Sequence, residues 1–253
     1  MPTPAAERLT RARVSLEGLS VGDAFGQRFF HHRAIIGRLW LQRDGSGLDL
    51  RQDAPLGPPP WRWTDDTAMA LSVVEVLQTH ETADQDRLAR HFAERFHEEP
   101  RRGYGPAMHR LLPDILRRRH WRDAARQLFS GQGSFGNGAA MRVAPLGAYF
   151  ADDLDQVVAE AQRSAEVTHA HAEGVAGAIA VAGAAAWAWR SRQTGRLLPP
   201  DFIGQVLALV PDMDTTCAIV GGIVALYTGL AGIPAEWRAS REPLPPGFAS
   251  EAV

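Results

Sequence analysis

The sequence predicts an all-α protein, a compact multi-helix orthogonal array whose acidic residues would line a dinuclear metal cleft. Three observations predict it. Apolar residues recur at helical intervals, while the strict alternation of a half-buried strand is scarce. The helical runs are separated by Pro- and Gly-rich breaks. Two acidic clusters each stand directly before an apolar helix.

In chain order, Leu9, Ala12, Leu16 and Leu19 mark a first helix that ends in Gly22-Asp23. Residues 53–60, DAPLGPPP, form a loop, because three consecutive prolines cannot sit inside a helix. Ala70, Val73, Val74 and Leu77 then follow an i, i+3, i+4, i+7 pattern, with Met69, Val73 and Val76 as core. Asp84 reads as an N-cap for a helix that buries Leu88, Phe92 and Phe96. Residues 131–138, GQGSFGNG, make a tight loop. Leu154, Val157, Val158 and Ala161 open the next helix, and an Ala/Gly-rich helix occupies about 172–190. The last strong helix carries Ile219, Gly222, Ile223 and Leu226, and a Pro-rich tail, WRASREPLPPGF, is expected on the surface. Trp61, Trp63, Trp187 and Trp189 read as core or rim residues. No internal repeat is evident, and residues 1–253 are read as a single domain.

Composition narrows the function classes. The 253 residues are 45% hydrophobic, enough for one sizeable core. With 27 basic and 29 acidic side chains the net charge is −2, so a broad nucleic-acid surface is not expected. The lone Cys217 excludes an internal disulfide, fits a reducing, cytoplasmic setting, and reads as a buried inert thiol. The N-terminus lacks the apolar run of a signal peptide. The most apolar stretch, Gly174 to Trp189, is shorter than the ~20 residues needed to cross a bilayer, so no membrane segment is expected.

The chemistry is concentrated in two clusters. Thr64-Asp65-Asp66 and Asp212-Met213-Asp214-Thr215 each supply two carboxylates and a hydroxyl just before a helix. Alone, either could be an ordinary helix cap, since acids there also favour the helix dipole. Together they offer six oxygen-bearing side chains and no soft ligand, a set suited to Mg²⁺ or Mn²⁺. Two clusters suggest two ions, which could orient substrate oxygens and acidify a shared water. Glycines in Gly133–Gly138 could let backbone N–H groups approach a diphosphate, or could simply form an interhelical turn. His169 and His171 could chelate in principle, but imidazole suits zinc or copper better and no third nitrogen or sulfur ligand is suggested. Arg142 could face phosphate or pair with an acid, and Tyr104 could stack on a ligand or pack in the core. Asp23 is either a supporting residue of the site or a helix-end residue.

These motifs, in their order, resemble the ADP-ribosylglycohydrolases, the family that includes the dinitrogenase-reductase-activating glycohydrolases. The resemblance rests on Gly18-Leu19 with Gly22-Asp23-Ala24 and Gly26, on Trp63-Thr64-Asp65-Asp66-Thr67, and on Arg102-Gly103-Tyr104-Gly105. It continues through Gly136-Asn137-Gly138 with Met141-Arg142 and Pro145, Thr168-His169 with His171, and Asp212-x-Asp214-Thr215. It covers about residues 14 to 245. It implies an all-helical fold and a two-ion magnesium site, with manganese possible, held by Thr64, Asp65, Asp66, Asp212, Asp214 and Thr215. It implies hydrolysis of an N- or O-glycosidic bond at C1″ of the distal ribose. The substrate would be an ADP-ribosylated protein or a small ADP-ribosyl conjugate, acted on by a monomer. Asp66 or Asp214 would orient and deprotonate the water. Ser134, Gly136, Asn137, Gly138 and Arg142 would hold the diphosphate, with His169 at the ribose and Tyr104 nearby.

Two departures from the family pattern bear on activity. Many relatives carry a glutamate shortly after the GDAxG motif, whereas here no carboxylate follows Asp23 until Asp44. His31, His32 or Asp66 would have to serve as acid or base, or the chain could be an ADP-ribose binder without turnover. A metal-dependent phosphoesterase is a further alternative. The chain also looks shortened between about 190 and 211, where relatives have additional helices, and Pro211 precedes Asp212 where they tend to have glycines.

Overall fold

The structure is a computed structural model that describes residues 3–28, 58–198 and 213–249. Its described part is helical throughout, with one isolated parallel bridge between Trp61 and Arg241. The helices are α1 (Ala5–Gln27), α2 (Asp65–His80), α3 (Gln85–Glu98), α4 (Met108–Leu116) and α5 (Trp121–Arg126). They continue as α6 (Ala144–Tyr149), α7 (Leu154–Glu166), α8 (Ala172–Thr194), α9 (Met213–Thr228) and α10 (Ala235–Ser240).

The centre is built on a close crossing of α1 and α9. A Cβ on Gly18 would collide with the Gly221 carbonyl, and one on Gly22 with the Cys217 carbonyl. The two backbones therefore touch where side chains would ordinarily hold helices 8–10 Å apart. This corrects the expected helix end at Gly22-Asp23: α1 continues to Gln27, and Gly22 is there to admit α9. Around this pair, α6 and α8 meet in the same way, with Gly147 against the Ala182 carbonyl. Ala178, Ala182, Ala185 and Ala188 of α8 are fully buried, because their small side chains allow neighbours on several sides.

Caps and apolar stripes follow the sequence closely in the middle of the chain. Thr64 caps α2, accepting from the Asp66 N–H at 3.3 Å, and Asp84 caps α3 through the Arg87 N–H at 3.0 Å. Leu88, Phe92 and Phe96 are buried together, as are Met69, Val73 and Val76. Trp61 and Trp63 are core, while Trp187 is exposed at the rim.

Three further expectations change. In α7 the buried stripe is Val157, Ala161, Ser164 and Ala165, while Leu154 and Val158 face solvent. The Pro-rich tail is woven into the fold: Trp237 stacks on Phe25 at 4.3 Å, and Arg241 and Leu244 are buried. The apolar helix is longer than read, since Ala172–Gln193 is long and apolar enough, by length and composition, to cross a membrane. Here it packs as a core helix, with its alanines against α6 and α7.

A candidate metal centre beside a nucleotide-sized cleft

Three helices deliver carboxylates to one point. Asp23 projects from the interior of α1, Asp66 from the first turn of α2, and Asp214 from the first turn of α9. Ligand oxygens of these three lie within 4.8 Å of one another, and all three residues are buried. The two helix N-termini place partial positive charge beside the acids. The acids nevertheless repel one another: burial, followed by the charges of Asp23, Asp65 and Asp214, holds the Asp66 carboxyl well above the usual range.

The three carboxylates are not equivalent. Asp23 is saturated, accepting from the Thr64 N–H at 2.9 Å, the Thr67 N–H at 3.1 Å, the Thr67 hydroxyl at 2.6 Å and the Thr64 hydroxyl at 2.8 Å. It fixes the start of α2 against α1. Asp66 is the opposite case, with Oδ1 buried and without a hydrogen-bond partner. A buried, unpaired carboxylate oxygen facing two further carboxylates is the environment a hard cation relieves, so the residues present fit a divalent metal. Asp65, Asp66, Asp214, Thr64 and Thr215 are thereby gathered at the starts of α2 and α9. Asp212 lies outside the described residues, as do His31 and His32.

Asp65 also lines a cleft of about 590 Å³. Opposite it stands the 131–138 loop, with Ser134, Gly136, Asn137 and Gly138 in the wall beside His169. The Ser134 hydroxyl accepts from the Gly136 N–H at 3.3 Å. Gly138 has no room for a side chain, since a Cβ would sit 2.8 Å from the His169 ring. His169 Nδ1 lies 2.7 Å from the Thr168 hydroxyl, and burial followed by the charge of Arg142 pulls the imidazole pKa down to about 3. The ring is therefore neutral. His171 serves the helix instead. Its Nδ1 caps α8, accepting from the Glu173 N–H at 3.1 Å, so the two histidines have separate partners.

Two expected ligand contacts are placed elsewhere. Arg142 is fully buried behind the cleft; it donates to the Ser164 carbonyl at 2.8 Å and lies 4.3 Å from the centre of the Phe92 ring. Of the two roles left open for it, phosphate partner or structural cation, its surroundings support the second, through a carbonyl rather than an acid. Tyr104 packs edge-on against Phe96 at 5.0 Å with its hydroxyl buried and unpaired. Burial and the charge of Asp65 hold its phenol above the usual range. The Cys217 thiol is pushed up to about 12 by burial and by Asp214, Asp23 and Asp66, which makes it a poor nucleophile.

Other residues at the cleft escaped the sequence reading. Arg110 lines it, and so does Phe129. Phe129 and Ser130 hold left-handed backbone angles, φ 52° and 59°, an uncommon conformation for non-glycine residues. Phe129 and Phe135 remain half exposed with ring centres 5.5 Å apart. The sequence signal was present in Phe135, an aromatic between two glycines of the loop; nothing local marked Phe129.

The ADP-ribosylglycohydrolase family model matches residues 4–212 of the chain. ADP-ribosylhydrolase ARH3 of Bos taurus is 35% identical over 187 residues, covering 68% of this chain and 48% of the relative. The Homo sapiens ARH3 is 34% identical over 185 residues, with the same 68% and 48%. A protein of Archaeoglobus fulgidus is 35% identical over 172 residues, covering 65% of this chain and 51% of its own. The chain thus spans about half the length of these curated relatives. A solved structure described as an ADP-ribosylglycohydrolase-related protein complex covers 94% of both chains with a TM-score of 0.60 at 21% identity, a likeness of fold.

Proposed function

The chain belongs to the ADP-ribosylglycohydrolase family, and from that premise we propose that it hydrolyses the bond between C1″ of ADP-ribose and an acceptor on a protein or small molecule. The observation that carries the reading is the orphaned Asp66 oxygen among converging carboxylates, beside a cleft large enough for a nucleotide diphosphate. Two Mg²⁺ ions, with Mn²⁺ as the other candidate, would be held by Thr64, Asp65, Asp66, Asp214, Thr215 and Asp212, and would supply positive charge to the ribose hydroxyls and a water.

The chain's own groups account for the rest. Asp66 or Asp214 orients the attacking water and receives its proton. The neutral His169 imidazole offers Nε2 to the distal ribose without adding charge that would oppose a developing oxocarbenium ion. Backbone N–H groups of Asn137 and Gly138, with the Ser134 hydroxyl and with Gly136 in the same wall, receive the diphosphate, and Arg110, which lines that cleft, adds charge there in place of Arg142. Phe129 and Phe135 offer a face for the adenine at the mouth.

The experiment is release of ADP-ribose from an arginine-ADP-ribosylated protein, with Mg²⁺ and then with EDTA. Metal-dependent release is expected. The absence of a carboxylate between Asp23 and Asp44 favours a second reading, a binder without turnover. Tight ADP-ribose binding with no release in either condition would replace the hydrolase reading with that one.

A further inference from the structure

The chain beyond residue 212, outside the family match, returns to brace the acidic cluster from behind. The Trp61 N–H donates to the Ser240 carbonyl at 2.6 Å and the Glu242 N–H to the Trp61 carbonyl at 2.8 Å. This pairing directs two adjacent side chains to two different supports of the cluster. Arg241 donates to Glu17 at 2.8 Å, on α1, six residues before Asp23. Glu242 receives both ends of the Arg102 guanidinium, at 2.7 and 2.8 Å.

Arg102 in turn holds the approach to α2 at two points. Its guanidinium donates to the Trp63 carbonyl at 3.0 Å and lies 3.6 Å from the centre of the Trp63 ring. Its own carbonyl accepts the Asp65 N–H at 2.8 Å. Gly103 follows at φ +99°, a conformation that favours glycine, where a Cβ would stand 3.3 Å from Asp65 Oδ1. Glu99 takes the outer side of the same guanidinium at 2.8 and 2.9 Å, but its side chain is twice as exposed, 49% against 25% for Glu242. A planar, doubly paired guanidinium fixes direction as well as distance, which a flexible ammonium would not do.

We propose that Glu242, acting through Arg102, is a positioning residue for Thr64 and Asp65, and that the Arg241-Glu242 pair sets the spacing between α1 and the start of α2 on which divalent-cation binding depends. The proposal rests on the reading that the acidic cluster binds a divalent cation. Groups that orient metal ligands typically change affinity 10- to 100-fold when removed.

The test uses the full chain without substrate. Mg²⁺ affinity is measured by titration calorimetry, and protection of the Asp65 amide by hydrogen exchange in EDTA. Glu242→Ala and the isosteric Glu242→Gln are compared with Glu99→Gln. Both Glu242 variants are expected to weaken Mg²⁺ about 10-fold or more and to expose the Asp65 amide, while Glu99→Gln stays within about threefold of the parent. Should Glu242→Ala fail to fold, Glu242→Gln carries the comparison. Unchanged Mg²⁺ affinity and unchanged Asp65 protection in a folded Glu242 variant would overturn the proposal. Failure of the unsubstituted chain to bind Mg²⁺ would instead remove the cation reading on which it rests.

Discussion

At neutral pH the His169 imidazole carries no charge, because burial and the nearby Arg142 hold its pKa at about 3. The unfolded chain takes up that proton near pH 6.5. The histidine's contribution to stability is therefore complete above pH 6.5 and is lost as the pH falls toward 3, by up to about 1.4 kcal/mol per pH unit. Denaturant midpoints between pH 7 and 5 should fall less steeply in His169→Gln than in the parent; equal slopes would show that His169 does not set the acid limb. Asp66 leads to a different expectation. Removing one of several mutually repelling acids should leave the metal-free chain at least as stable, so Asp66→Asn is expected to lose its Mg²⁺ response while its melting temperature in EDTA is maintained or raised. A clear drop in that temperature would contradict the repulsion argument. Asp66 and Asp214 were legible because acids and threonines stood together before apolar helices. The full part played by Asp23 was not legible, because the threonines that saturate it lie 41 and 44 residues away. Spacing along a chain carries no trace of such a contact.

At the scale of elements, glycine has two unrelated meanings in this fold. On α9, Gly221 touches the α1 backbone, and a Cβ there collides with the Gly18 carbonyl. On α8, a Cβ at Gly183 meets nothing within 4 Å. Gly221→Ala should therefore cost about 3 kcal/mol, the upper part of the usual overpacking range, because two backbones cannot yield as side chains do. Gly183→Ala should stabilise by about 0.5–1 kcal/mol through helix propensity alone. Urea denaturation of both variants checks the contrast, and similar values of one sign would undo it. The same ambiguity explains the misplaced end of α1. Gly22-Asp23 reads as a stop signal, yet here glycine makes room for α9 and aspartate meets α2. The cap and buried face of α3, a helix with a polar outer face, were legible, whereas the end of α1, which is surrounded on several sides, was not.

For the whole molecule, cation binding and stability should be one measurement. A cation at about 100 times its dissociation constant adds about 2.7 kcal/mol if it binds the folded state alone. In a chain of this length that corresponds to a rise of roughly 5–11 °C in melting temperature, reversed by EDTA. A melting temperature indifferent to Mg²⁺ and EDTA would mean that the acidic cluster does not hold the ion. The all-helical class was readable from periodicity and breaks, and the carboxylates from composition at helix starts. The cleft was not, since its walls join Asp65 of α2 to the 131–138 loop and to Phe129, and only packing decides that they face each other. The cluster's three carboxylates, at positions 23, 66 and 214, also impose an order on synthesis. A nascent chain has no complete cluster until α9 has left the ribosome and docked on α1. A cation held by the completed cluster would therefore arrive last, leave folding rates largely unaltered, and act by slowing escape from the finished state.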